Sequence, residues 1–165
     1  SGYGHGLWDT ARGAGTNDTD ASNKVLDTSK SYSAGTTEFG SSDYLSSFNA
    51  TGFNVVADNE LDPRRANQNN QRYTSWTFRK QPKFFDVVTY TGNGANRSIS
   101  HSLGSVPGMI IVKKTGASSD SSSWAVYHRS LGNTQRIFLD LTDAQSTAST
   151  FWNNTDPTST NFTVG

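Results

Sequence analysis

Cysteine is absent from the 165 residues, so neither disulfides nor thiolate metal centres hold the chain together, and its stability rests on packing and hydrogen-bonded ladders. Glutamate occurs only at Glu38 and Glu60. A retaining glycosidase needs two carboxylates about 5 Å apart. These two lie far apart in sequence, in polar surroundings flanked by Gly or Pro, which argues against a glycan hydrolase and, with no other catalytic pattern present, against an enzyme. Formal charge sums to zero, and no basic cluster exceeds Arg79-Lys80 or Lys113-Lys114. The counterion release that drives nucleic-acid binding has no surface to act on. No apolar run approaches the roughly 20 residues that cross a bilayer, and the Ser- and Gly-rich N-terminus has no apolar signal-peptide core. Neither nucleic acid nor membrane insertion is expected.

Ser, Thr, Asn and Gly are abundant, and aromatic residues make up 12% of a chain that is only 32% hydrophobic. Rings therefore carry much of the core, as in β-sandwiches whose short strands are separated by long polar loops. The length suits one domain or parts of two. No window sustains the i, i+3, i+4, i+7 spacing of a helix, and residues 140–145 are the single candidate helical turn. Apolar signals occur at Gly6-Leu7-Trp8 and Lys24-Val25-Leu26-Asp27. β-Branched and aromatic runs predict strands over 53–56, 73–78, 84–91, 97–101, 109–113, 124–128, 135–141 and 162–164. In 73–78, alternation places Thr74, Trp76 and Phe78 on the expected core face. Residues 92–94 and 116–120 read as Gly-bearing connections.

Two passages are the most specific. Residues 101–114 read HSLGSVPGMIIVKK, a turn followed by an apolar β-run, and residues 124–132 read WAVYHRSLG, an alternating β-run ending in glycine. Together they resemble a repeated domain in tail fibres and other virion structural proteins of tailed bacteriophages, marine ones above all. The resemblance implies an all-β, antiparallel β-sandwich of the jelly-roll, concanavalin A-like type. It also implies a non-enzymatic virion component on the particle surface, a tail-fibre or appendage segment that needs no cofactor. Expected partners are further copies of itself, as a homotrimer or repeating polymer, other virion proteins, and host surface glycans. A carbohydrate-binding module of an adhesin or glycan-degrading enzyme is the alternative, as is a capsid decoration protein.

An internal repeat, offset by roughly 110 to 120 residues, suggests whole domains in tandem. Leu7 to Gly13 (LWDTARG) parallels Val126 to Gly132 (VYHRSLG), residues 24–28 parallel 137–141, and residues 49–55 parallel 157–164. In that phasing, residues 1–80 are the later part of one sandwich, 81–83 a linker around Pro82, and 84–165 the earlier part of the next. Strands in 84–165 are then expected to find partners outside their own half. Unpaired edges and open apolar faces are costly in water.

Candidate sites follow from residue chemistry. Asp58, Glu60 and Asp62 cluster three carboxylates that could hold Ca²⁺ through loop oxygens, or form a solvated acidic loop beside Arg64 and Arg65; the second reading is preferred, and no metal site is assigned. His5, His101 and His128 lack metal-ligand spacing, and the Gly-rich stretches near the N-terminus lack the helix and lysine of a phosphate cradle. Five Asn-X-Ser/Thr sequons, at Asn17, Asn49, Asn96, Asn153 and Asn161, are what chance produces in such a composition. Aromatic rings remain. Sugars stack on exposed Trp faces while Asn side chains bind hydroxyls. Trp76 and Trp124, inside expected strands, read as core; Trp152, with Asn153 and Asn154 in a loop-like stretch, reads as the glycan platform, against packing across a sheet edge.

Overall fold

The computed structural model describes residues 5–13, 26–28, 45–55, 67, 69–115 and 122–165. Among them every regular element is a β-strand and every ladder is antiparallel. The chain is all-β. It divides into two compact units, Ser1–Trp76 with Lys114–Ser123, and Thr77–Lys113 with Trp124–Gly165.

In the first unit, β1 (Gly6–Leu7) pairs with β2 (Leu26–Asp27), and β3 (Leu45–Asn49) forms a hairpin with β4 (Gly52–Val55). The Trp8 ring lies where a Cβ on residue 6 would stand, so any larger residue there would require the ring to move. Leu26 and Leu45 are buried. The β3–β4 hairpin is tied by side chains: Asn54 Nδ2 donates to Ser47 Oγ and Asn49 Nδ2 to Asn54 Oδ1, both at 3.1 Å.

The second unit holds two sheets. β5 (Arg97–Ser100) pairs with β10 (Asn161–Val164), setting Ile99 opposite Phe162, both buried. The larger sheet runs in the order β6 (Met109–Val112), β7 (Ala125–His128), β8 (Gln135–Phe138), β9 (Ser146–Thr147). Directly opposed residues share a face. One face therefore carries Ile110 with Tyr127, and Val112 with Ala125 and Phe138; the other carries Met109 with His128, and Ile111 with Val126 and Ile137.

The same turn closes a strand in each unit. After β1, Gly13 N donates to Asp9 O at 3.0 Å and Arg12 N donates to the Asp9 carboxylate, with Gly13 at φ +88°. After β7, Gly132 N donates to His128 O at 3.2 Å and Ser130 N to His128 Nδ1, with Gly132 at φ +79°. Left-handed backbone of this kind is where glycine avoids the Cβ clash. Two of the paralleled stretches thus share a backbone device as well as letters.

Several expectations need correction. Residues 73–78 join no ladder, and Trp76, expected in the core, is 78% exposed. Alternation fixes which side chains share a side, but a strand also needs a neighbour to bond, and none of the described residues supplies one. Residues 84–91 are not a strand either. Pro82 and Lys83 (φ +63°) close a tight turn in which Phe84 N donates to Gln81 O at 3.1 Å, and a lone bridge joins Gln81 to Phe85. That geometry, proline then a left-handed residue, is that of a type II turn. Residues 140–145 form no helical turn. Among the described residues, β5 to β10 find all their ladder partners within 97–164, not outside their own half.

Candidate functional site

The passage 101–132 owes its residues to close backbone packing. His101 N donates to Thr160 O at 2.8 Å, Leu103 N lies 3.2 Å from its Nδ1, and its Nε2 lies 3.3 Å from Thr158 O. Gly104 turns at φ +64°. Gly108 supports the Arg129 side chain: Arg129 N donates to Gly108 O, its Nη2 donates to Val106 O at 3.0 Å, and a Cβ on residue 108 would meet the guanidinium at 3.2 Å. His128 is an exposed strand-end residue that accepts from Ser130 N. These histidines serve the backbone.

Asp86 binds two chain segments. Its carboxylate accepts from Ser102 N (2.7 Å), Val87 N (2.9 Å) and Lys80 Nζ (2.7 Å). Burial alone would raise its pKa, but the Lys80 bond and charge and the two amides outweigh it and hold the carboxyl below its ordinary value. Burial pushes the Tyr127 phenol up, aided by the Asp156 carboxylate and opposed by Arg129.

Trp152 is not a platform. It is 3% exposed, its ring meets Tyr127 edge-on at 5.7 Å, and its Nε1 donates to Gln135 O at 3.1 Å. From the other side, Thr163 Oγ1 donates to Trp152 O at 2.7 Å. Trp152 therefore fastens β7 and β8 to β10, and no ring face is left for a sugar. Asn153 and Asn154 occupy successive left-handed positions (φ +50° and +47°), which asparagine tolerates better than most residues. Asn154 N donates to Ser149 O at 2.8 Å, while Asn153 Oδ1 accepts from Asn96 Nδ2 at 2.6 Å. The three residues share a turn whose work is packing. Beside it, Arg136 packs against the edge-on pair of Phe138 and Phe151, 4.9 and 4.5 Å from their centroids. Trp124 is buried, as expected.

The exposed chemistry lies elsewhere. Residues 71–80 run without turn, bend or ladder, and every one is exposed. They include Tyr73, Trp76 and Phe78, with Arg72 and Arg79 at the flanks. Phe78 packs loosely on Phe84 and Phe85, with ring centroids 6.1 and 5.6 Å apart. Trp76 and Phe78 each leave more than half of their surface in water. The exposure of Trp76 was not legible in the sequence, because alternation assigned it inward.

Among the described residues no group of three His, Cys, Asp or Glu could hold a metal ion, and no helix is long and apolar enough to cross a membrane. Glu38, Glu60, the 58–62 carboxylates and Arg64 and Arg65 lie outside the described residues. No curated protein and no solved structure matches the chain. A family model described as "Domain of unknown function (DUF7483)" matches residues 4–165, nearly the whole length, and the chain belongs to that family.

Proposed function

We propose that the chain is a non-enzymatic structural segment of a bacteriophage virion, a tail-fibre or appendage piece built from antiparallel β-sandwich modules of the jelly-roll, concanavalin A-like type. The observation that carries this reading is the shared strand-ending turn, Asp9 to Gly13 and His128 to Gly132, with the same backbone bond and the same left-handed glycine in two separate compact units. A module used twice suits an extended appendage, where shaft length comes from repetition. The phage resemblance of residues 101–132 adds the setting. In this reading, loops meet other virion proteins or host surface glycans, and the particle surface is where the chain works.

Peptide mass spectrometry of purified virus particles tests the assignment. Recovery of these peptides in proportion to a structural protein supports it, and their absence from particles overturns it. A second reading, a carbohydrate-binding module, draws on the exposed Tyr73, Trp76 and Phe78. A glycan array on the purified chain separates the two: binding to one glycan class, lost in Trp76→Ala, favours the module.

A further inference from the structure

The dipeptide Asn-Gly occurs once in the chain, at Asn93-Gly94. It lies in the loop before β5, where residues 91–96 are all exposed. Both ends of that loop are tied: Arg97 Nη1 donates to Thr91 O and Asn96 Nδ2 to Asn153 Oδ1, each at 2.6 Å. Between the ties the backbone is open. Gly94 turns at φ +73°, a Cβ built on it would meet nothing within 4 Å, and its amide makes no hydrogen bond among the described residues. The Asn93 side chain turns back along that amide, its Oδ1 accepting from Ala95 N at 3.1 Å. Its Nδ2 has no partner among the described residues. Other asparagines differ on both counts. Asn49, Asn54, Asn96 and Asn133 each donate through Nδ2 to another side chain, and each is followed by a residue that carries a Cβ.

We infer that Asn93 is a self-modification site, at which the Gly94 amide nitrogen attacks the side-chain carbonyl carbon and the residue ends as aspartate or isoaspartate. Asparagine is among the thermally labile residues, and here the attacking nitrogen, the space around it and the leaving group are all unobstructed. Gly94 N gives its proton to solvent and bonds to Asn93 Cγ, so the side-chain oxygen takes the negative charge. The Ala95 N–H already donates to that oxygen, and it binds an anion more strongly than a neutral carbonyl. Collapse breaks the Cγ–Nδ2 bond. Nδ2 takes up a proton and leaves as ammonia, and a cyclic imide remains. Water then opens the ring. Addition at Cγ breaks the new bond to nitrogen and gives aspartate; addition at the main-chain carbonyl breaks the original peptide bond and routes the chain through the side-chain carbon, giving isoaspartate. An amide and water become a carboxylate and ammonium, and the formal charge of the chain, zero at the start, falls by one. The reaction needs no partner beyond water, so it is independent of the proposed virion role.

Peptide mapping of the full chain tests this. The folded protein is aged in mildly alkaline heavy-oxygen water and digested with trypsin in ordinary water, so that only conversions made before digestion carry the label. Cleavage after Lys83 and Arg97 isolates residues 84–97, and electron-transfer fragmentation separates residue 93 from 96 and isoaspartate from aspartate. Asn93 is expected to convert before any other described asparagine, to both products, at least as fast as in a synthetic peptide of residues 84–97. Ala95→Pro keeps Asn-Gly but removes the N–H donor, and should convert about two- to tenfold more slowly than the wild type, the ratio one net hydrogen bond is worth. Conversion slower in the folded chain than in the peptide overturns the inference, as does labelled aspartate with no isoaspartate, another described asparagine converting first, or Ala95→Pro converting at the wild-type rate. If Ala95→Pro is unfolded by circular dichroism, the comparison of wild type with peptide decides.

Discussion

Replacing Trp152 separates a packing role from a sugar-binding one. Trp152→Ala removes a buried ring, its edge contact with Tyr127 and the bond to Gln135 O. Truncating a buried Trp typically costs about 3–5 kcal/mol, and the Gln135 carbonyl is left to find another donor. Trp152→Phe keeps most of the ring volume but loses the Nε1 donor. A neutral hydrogen bond is worth about 0.5–1.5 kcal/mol, and the smaller ring adds a partial cavity, so about 2 kcal/mol is expected. Domains are stable by about 5–15 kcal/mol, so the alanine variant should lose a large share of the second unit's stability. Urea unfolding, followed through the emission of buried Trp124, measures both changes. The order Ala worse than Phe worse than wild type, with no effect on glycan binding by the folded protein, is the expected result. A Trp152→Ala protein as stable as wild type to within about 0.5 kcal/mol, the range of harmless surface changes, would refute the packing argument.

Other perturbations read other parts of the fold. The Asp86 pKa lies below its ordinary value, so its contribution to stability is in full above about pH 4 and is lost as pH falls through the lower folded value; Asp86→Asn should flatten that part of the stability profile. Burial holds the Tyr127 and Tyr90 phenols above their ordinary value, so their contribution is in full below about pH 10 and is lost as pH rises further, which an ultraviolet titration checks. Gly132→Ala, at φ +79°, should cost about 1 kcal/mol or more in thermal or urea unfolding, because alanine is strained where φ is positive. Lys83→Gly works in the opposite direction, since Lys83 already sits at φ +63°, and it should stabilise by up to about 1 kcal/mol.

Much of the strand content was legible because apolar β-runs bounded by turns mark themselves. β5, β6, β7 and β10 lie within a residue or so of the runs expected at 97–101, 109–113, 124–128 and 162–164. β8 is shorter than its run, ending at Phe138. β3 and β9 escaped notice: Leu45-Ser-Ser-Phe-Asn and Ser146-Thr147 are too polar to stand out, and they become strands only because β4 and β8 lie alongside. The opposite error, a strand at 73–78, has the same cause. Residue pattern reports the sides of a strand, and pairing depends on what else is near.

The candidate site was harder to read. Trp152, Asn153 and Asn154 have the polar company of a loop, but the setting of Trp152 depends on Thr163, Gln135 and Tyr127, which stand 11, 17 and 25 positions away in sequence. Two consecutive asparagines after an aromatic pair were the available sign of a left-handed turn. The repeated glycine at 13 and 132 was legible, since the lettering around it recurs; that each closes a strand with the same bond required coordinates.

Gly108 and Arg129 carry a consequence for the history of the sequence. The guanidinium lies 3.2 Å from where a Cβ on residue 108 would stand and also binds the carbonyl of Val106, so the two positions are coupled. An alanine at 108 asks the arginine to give by a few tenths of an ångström while it holds that carbonyl. Among relatives the two positions should therefore covary. In a double-mutant cycle, the effect of Gly108→Ala should differ between the Arg129 background and Arg129→Ala, a coupling that either single substitution would conceal.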